Sequence, residues 1–218
     1  MYLCREKQNT NGLNNIMIIK KISAPLYFVS LLFMLFVAGC ASNPTNMQKV
    51  QPGKVATTPE KGKAMVVFMR SSGFGGSILS NIFEIKNKKP ILLGSVKAKE
   101  KITYQVEPGK HLFMVTGKNA DFISAELKEN KTYYVRVTPK MGRWIAHFSL
   151  YPMPINQIYS SHFKEQLESC EWVEKTPAAA HWANSNMASI QSQYREYYPK
   201  WIRKNLIERP ELLARDGK

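Results

Sequence analysis

The chain has few of the side chains from which most active sites are built. Its 218 residues include 16 Asp and Glu, three cysteines and four histidines. The histidines are His111, His147, His162 and His181. None of them belongs to a known metal-ligand motif with a second His, a Cys or a carboxylate. The sequence therefore predicts no metal site, no cofactor and no catalytic residue, and we expect a protein that is not an enzyme.

Two local patterns that could suggest chemistry have simpler interpretations. The glycine-rich run Gly73–Gly76 lacks the Gly-Lys-Ser/Thr ending of a phosphate-binding loop, and no helix is predicted after it. A turn that needs positive φ explains the glycines better. Three carboxylates in or directly after predicted strands, Glu84, Glu107 and Glu126, follow an alternation that points them outward.

A long uncharged apolar segment lies near the N-terminus. Lys20 and Lys21 precede it, and Leu26–Val37 carries no charge. This order is typical of a secretory signal peptide. Residues 1–16 are polar and fit no signal peptide, so we expect translation to begin at Met17. The alternative is an uncleaved membrane anchor, for which the segment is slightly short, because a spanning helix needs about 20 apolar residues.

The apolar segment ends in Val37-Ala38-Gly39-Cys40. This run resembles a lipobox, the site at which bacterial lipoprotein precursors are cleaved and lipidated. We expect Cys40 to become the acylated first residue, which anchors the chain stably to a membrane. Resemblance to Gram-negative lipoproteins implies that Ala41, rather than Asp, directs the protein to the outer membrane on its periplasmic face. In a Gram-positive host the membrane would be the plasma membrane.

The expected processing leaves Cys170 as the free thiol. Cys4 lies in the discarded segment and the thiol of Cys40 becomes a thioether, so no intramolecular disulfide is expected despite an oxidising compartment. We expect a half-buried helical position for Cys170. Pairing with another chain is the alternative.

The formal net charge is +15, and most of the excess falls between Lys61 and Lys140. A basic exported domain could bind anionic lipid headgroups, lipopolysaccharide phosphates or peptidoglycan carboxylates. The alternative is that these lysines occupy edge strands and turns, where they protect a sheet from aggregation. The expected compartment argues against nucleic acid as a partner.

Short strands separated by turn residues dominate the middle of the chain. The first, Ala64–Arg70, is a continuous apolar run typical of a buried central strand. The others are predicted at 82–86, 91–96, 102–106, 111–116, 123–127, 133–137 and 144–151. About seven or eight strands at this spacing predict a mainly β fold, an antiparallel β-sandwich.

The C-terminal part has helical spacing instead. We predict helices over Ser160–Glu174 and Ala178–Tyr198, with Pro199 ending or kinking the second. The last residues, Glu211–Lys218, are predicted to be a loosely ordered tail. Aromatic side chains in this α-helical appendage are candidates for docking a partner, and the alternative is that they pack on the sandwich as core. They are Trp182, Tyr194, Tyr197 and Trp201.

The β region resembles a domain-of-unknown-function family of bacterial lipoproteins with a PEGA-like β-sandwich. The resemblance lies in Arg70-Ser71-Ser72 after the opening strand, in Gly73–Gly76, in Val106–His111 and in Asn130–Val137. With the lipobox it covers a little over half of the chain. It implies a fold and an envelope location, and it implies no activity.

These patterns divide the chain into four parts. They are a signal peptide over 1–39, a lipidated N-terminus and flexible tether over 40–62, a β-sandwich over 63–153 and a helical region over 154–218. We expect a membrane-anchored lipoprotein that acts as a non-catalytic binding or scaffold module for an envelope protein. The first alternative is direct binding of an anionic envelope polymer or lipid by the basic sandwich. The second, which the sequence favours less, is an uncharacterised enzyme. The sequence leaves the oligomeric state open.

Overall fold

The computed structural model describes residues 46–51, 53–76, 78–141 and 146–218. The predicted signal peptide and the predicted acylation site Cys40 lie outside these residues. Eleven strands occur in the described part of the chain. They are β1 Met47–Lys49, β2 Ala64–Arg70, β3 Ser80–Lys86, β4 Lys89–Val96, β5 Glu100–Val106, β6 Gly109–Thr116, β7 Ala120–Leu127, β8 Thr132–Met141, β9 Ala146–Pro152, β10 Glu171–Lys175 and β11 Glu211–Leu212.

Helices follow the last long strand. They are α1 Ile155–Ile158, α2 Ser161–Glu168, α3 Pro177–Ser185 and α4 Met187–Ile202, with 3₁₀ turns at Leu206–Glu208 and Ala214–Asp216. Within the residues that the structure describes, every helix is too short or too polar to cross a bilayer.

The strands form two sheets. One has six strands in the order β1-β10-β5-β2-β8-β9, and the other has five in the order β11-β7-β6-β3-β4. The prediction of a mainly β fold with C-terminal helices is confirmed. The sheets are mixed rather than antiparallel throughout, because β2 pairs with β8 in parallel, as β10 does with β5 and β11 with β7.

The main core lies between the two sheets. Phe68 of β2 meets Phe113 of β6 edge to face, with ring centroids 5.2 Å apart. Tyr133, from β8, is also fully buried there. All seven residues of β2 are buried, so the prediction of a buried central strand is confirmed.

Helices cover the outer face of each sheet, which explains why β2 is apolar on both sides. Met65, Val67 and Met69 of β2 pack under α1 and α2. On the five-stranded sheet, α3 and α4 pack against Phe83 and Phe122. Each helix pair therefore gives its sheet a second apolar layer outside the main core.

The predicted helix over Ser160–Glu174 is wrong in its second half. The Ser160 hydroxyl caps α2 by accepting the Phe163 backbone N–H at 3.1 Å, but α2 ends at Glu168. The chain then forms β10, which pairs with β5 on one side and β1 on the other. Hydrogen bonding to two neighbouring strands and the burial of Val173 stabilise this segment as a strand, although its apolar residues have helical spacing.

The predicted second helix is interrupted at Asn186. Its side-chain Nδ2 donates to the Trp182 carbonyl at 2.8 Å, a bond that competes with the regular helical ladder. Pro199, by contrast, lies inside α4, which continues to Ile202.

Segments expected to be loose are part of the fold. Met47, in the predicted tether, lies on β1 and packs against the main core. In the predicted loose tail, Leu212 is fully buried, and Thr132 and Lys218 exchange two backbone hydrogen bonds of 2.9 and 3.1 Å. The tail is ordered for two reasons. Strand β11 pairs with the edge of β7, and Leu212 packs into the main core.

Two leucines in the C-terminal part allow a matched test of this packing. Leu212 is 0% exposed and Leu206 is 77% exposed. Leu212→Ala should lower the free energy of unfolding by about 2–4 kcal/mol, since it leaves a cavity under the tail. Leu206→Ala should change it by less than about 0.5 kcal/mol. Urea unfolding followed by circular dichroism measures both, and equal effects would contradict an ordered tail.

Candidate functional site

A cleft of about 620 Å³ opens between α2 and the outer face of the six-stranded sheet. We call it the α2 cleft. Its walls come from three sources: strands β8 and β9, helix α2, and the turns that follow β2 and β4. The polar side chains that matter most are Arg136 and Tyr151 from the strands, His162 and Glu165 from α2, and Ser71 and Lys99 from the turns.

The pleat of β8 determines what reaches the cleft. Tyr134 points to the outer face and is covered by Phe163 of α2, with ring centroids 5.0 Å apart. Arg136 lies two residues further on the same face, and Tyr151 is its partner on β9. The apolar contact under α2 thus gives way to a polar surface one pleat along the strand.

Arg70 fixes the glycine-rich turn beside the cleft. Its side chain is fully buried, and its guanidinium donates to the carbonyls of Phe74, at 2.7 Å, and Ile78. A Cβ on Gly75 would come within 2.9 Å of Arg70 Nη2, so the turn needs glycine there. Burial lowers the pKa of the guanidinium, and Glu100 opposes that shift. Arg70 is therefore a structural cation that sets the path of the chain after Ser71.

The cations of the α2 cleft differ in how firmly the fold holds them. Lys99 sits in a turn with φ of 61°, and its Nζ donates to Ser169 Oγ at 3.3 Å. Arg136 is half-buried, and within the described part of the chain its guanidinium forms neither a hydrogen bond nor an ion pair. Glu165 supplies the carboxylate among the cleft side chains. Arg136 is thus the group with the most unused hydrogen-bonding capacity.

The cationic surface continues along the β8–β9 hairpin. Lys140 lies on the same face of β8 as Arg136, and its Nζ stands 5.1 Å from the centroid of the Tyr151 ring. An arginine that presents a free planar fork binds carboxylates and phosphates in a bidentate manner. The surface therefore has the chemistry to bind a ligand that carries carboxylate or phosphate groups.

A second group of titratable side chains is buried between the sheets. Glu84, on β3, is 1% exposed. Its Oε1 lies 2.7 Å from His111 Nδ1, and its Oε2 accepts from the Tyr104 hydroxyl at 2.6 Å. Lys86 Nζ is 3.0 Å from the same Oε2. The outward position predicted for Glu84 is therefore wrong, whereas Glu107 and Glu126 are exposed.

The network keeps Glu84 ionised. Burial alone would raise the pKa of this carboxyl, but the hydrogen bonds from His111, Tyr104 and Lys86 outweigh burial and lower the pKa to about 2. Burial and the bond to Glu84 together raise the pKa of Tyr104. Both ring nitrogens of His111 face acceptors, since Nε2 lies 2.8 Å from the Glu107 carbonyl. Both contacts are hydrogen bonds when the imidazole carries two protons.

Cys170 and Lys101 line another cleft, of about 720 Å³, with Trp172. The thiol of Cys170 is buried just beyond α2 and forms no disulfide, and burial raises its pKa. Lys101 is 5% exposed. Its Nζ donates to the Leu167 carbonyl and lies 4.6 Å from the centroid of the Trp172 ring. Both groups are held in structural contacts.

The four predicted docking residues lie in one apolar cluster on the outer face of the five-stranded sheet. Tyr194 and Trp201 are 8% and 5% exposed, and both rings pack against Phe122, at 6.2 and 5.7 Å. Trp182 and Tyr197 are half-buried against the same cluster. Their use in docking a partner stays a prediction.

The histidines that the sequence analysis considered as candidate metal ligands do not lie together in the fold. His111 belongs to the Glu84 network and His162 to the α2 cleft. In the parts of the chain that the structure describes, no three His, Cys, Asp or Glu side chains are close enough together to hold a metal ion. No sequence pattern predicts the α2 cleft, because its walls come from segments far apart along the chain.

The Glu84 network predicts a specific dependence of stability on pH. Its carboxyl has an ordinary pKa of 4.5 and a folded value of about 2. It therefore stabilises the fold fully above pH 4.5, and this contribution is lost as the pH falls towards 2. Glu84→Gln should lower the free energy of unfolding at neutral pH by about 2–4 kcal/mol.

Urea unfolding at a series of pH values measures this contribution. The difference between the native chain and Glu84→Gln should shrink as the pH falls. Glu126→Gln, on the exposed side of β7, is the matched control and should change stability by less than about 0.5 kcal/mol at every pH. A difference that does not vary with pH would contradict the assigned role of Glu84.

Comparison with known proteins gives a distant structural likeness. The chain matches no protein-family model and no curated protein. Its structure is similar to the NMR structure of a protein from Eubacterium rectale, with 12% sequence identity and a TM-score of 0.24. The likeness covers 47% of this chain and 93% of that chain. The chain is a two-sheet β structure with C-terminal helices.

Proposed function

We propose that this chain is a membrane-anchored lipoprotein of the bacterial cell envelope that acts as a non-catalytic binding or scaffold module. The observation that carries the proposal is the run Val37-Ala38-Gly39-Cys40 after an uncharged apolar segment. In a Gram-negative cell, Ala41 favours the outer membrane and the periplasmic face. The resemblance to lipoproteins with a PEGA-like sandwich supports the same location.

The buried titratable groups support a binding role rather than a catalytic one. Glu84, His111 and Tyr104 satisfy one another between the sheets. Arg70 holds a turn, and Lys101 holds the end of α2. A catalytic acid or base needs a proton that it can exchange with a substrate, and each of these groups faces a partner supplied by the fold.

Acylation of Cys40 is the direct test of the proposed anchor. Cys40→Ala should abolish palmitate incorporation and leave the precursor uncleaved, because the acyl acceptor is the Cys40 thiol. Cys170→Ala is the matched control and should leave acylation unchanged, since that thiol is buried. Metabolic labelling with palmitate and mass spectrometry of the mature N-terminus measure both variants. Palmitate on Cys40→Ala, or a mature chain that does not begin at residue 40, would contradict the proposal.

A second candidate function is direct binding of an anionic envelope polymer or lipid. The observation that favours it is the α2 cleft, where the Arg136 guanidinium forms no hydrogen bond or ion pair within the described part of the chain. Lys99 and Lys140 lie along the same surface. Peptidoglycan carboxylates and lipopolysaccharide phosphates both suit a free guanidinium.

The second candidate predicts a site-specific and salt-dependent affinity. Arg136→Gln should weaken binding to peptidoglycan sacculi or lipopolysaccharide about tenfold, the effect expected from losing a charged hydrogen bond. Arg195→Gln, at an exposed position on α4, is the matched control and should bind like the native chain. Co-sedimentation at low and high salt measures the affinity, and rising salt should weaken it. Equal loss in both variants, or binding that is independent of salt, would contradict this candidate.

A further inference from the structure

Three large apolar side chains are exposed at the end of α4 and in the residues that follow it. Ile202 is 46% exposed, Leu206 is 77% exposed and Ile207 is 99% exposed. We call these three residues the apolar tip. They fall within six consecutive residues, and such a local group of exposed large aliphatic side chains marks an interaction surface.

The backbone that carries the apolar tip is ordered rather than frayed. Trp201 is buried at its base, against Phe122. Backbone hydrogen bonds of 3.1 Å from Lys204 to Trp201 and 3.2 Å from Arg209 to Leu206 close two successive turns. Arg209 Nη1 also donates to the Ile202 carbonyl at 3.3 Å. The fold therefore holds Leu206 and Ile207 in solvent by specific contacts.

The chain around the apolar tip is basic. Lys200, Arg203, Lys204 and Arg209 lie in this stretch, and Glu208 is the acid among them. Glu196 pairs with Lys200 at 2.9 Å, and Asp121 lies 3.7 Å from Lys204. The Arg203 side chain is exposed and, within the described residues, forms no ion pair or hydrogen bond. Aliphatic side chains surrounded by cations suit a bilayer with anionic headgroups.

A protein partner suits the tip less well than a bilayer. Three side chains offer far less area than the roughly 800 Å² that each partner buries in a standard interface. The lysines around the tip also belong to a residue type that is depleted in protein interfaces. A bilayer requires only apolar insertion and headgroup contact.

We propose that the apolar tip inserts Leu206 and Ile207 into the surface of a bilayer that contains anionic lipid. The proposal rests on the proposed membrane attachment and adds a second contact, which would orient the domain relative to the membrane. The cations around the tip, Arg203 above all, would lie among the headgroups while the two aliphatic side chains enter the acyl region.

The test uses the full acylated chain reconstituted into vesicles. Ile207→Cys is labelled with an environment-sensitive fluorophore, and Tyr159→Cys is the matched control. Tyr159 is 73% exposed and follows α1, on the opposite outer face of the sandwich. The unsubstituted chain gives the background from Cys170, which is buried. Vesicles are made of phosphatidylcholine alone or of phosphatidylcholine with phosphatidylglycerol.

The expected result is a blue shift and loss of aqueous quenching at position 207, and neither at position 159. The effect should be larger with phosphatidylglycerol, and Arg203→Gln should reduce the inserted fraction about fivefold. A probe at 207 that stays in water while the chain co-sediments with vesicles would overturn the tip proposal alone. Failure to co-sediment would instead count against the anchor. A blue shift without vesicles that grows with protein concentration would overturn the tip proposal in favour of contact between copies.

Discussion

The burial of β2 on both faces is the constraint from which the rest of the fold follows. A strand that is apolar on both sides needs a second sheet against one face and a further layer against the other. The five-stranded sheet supplies the first through Phe68 and Phe113. The helices α1 and α2 supply the second by covering Met65, Val67 and Met69. The α2 cleft forms where this helical layer stops and the polar part of the sheet face begins.

The parts of the fold that the sequence predicts are those whose structure shows in a local residue pattern. Alternation and turn residues were sufficient to predict strands β2–β9, because each strand carries its own periodicity. They did not predict β10 or β11, which have few residues and owe their structure to strand edges far away in the sequence. They also predicted the exposed positions of Glu107 and Glu126 correctly, since the outer sides of those segments face solvent.

Glu84 shows why alternation alone fails when both faces of a sheet are covered. On β3, Phe83 faces the helices, whereas Ile82 and Glu84 face the space between the sheets. Sequence periodicity assigns the residues of a strand to two faces, but it does not indicate whether each face is buried or exposed. His111 and Tyr104 then meet Glu84 from β6 and β5, and only tertiary structure brings these three strands together. The α2 cleft could not be predicted from the sequence for the same reason, since only tertiary structure brings its walls together.

The basic residues of the chain serve different purposes in different places, so the net charge does not by itself indicate a binding surface. Arg70 and Lys101 are buried and hold turns and helix ends. Lys86 neutralises a buried carboxylate. Arg136 and Arg203 differ from these because the described residues offer them no ion pair. One lies in the α2 cleft on the outer face of the six-stranded sheet, and the other lies beyond the helix that covers the five-stranded sheet.

Arginines without an ion pair among the described residues, on two separate surfaces, suit a domain that contacts a membrane and a second ligand at the same time. If the apolar tip meets the bilayer, the α2 cleft faces away from that contact, because the sandwich and its helical layers separate the two surfaces. A ligand in the cleft would then be held at a distance from the membrane set by the thickness of the sandwich. Under the proposed membrane attachment, this arrangement suits a module that connects the membrane to a second ligand, since the polar cleft and the proposed membrane contact do not share a surface.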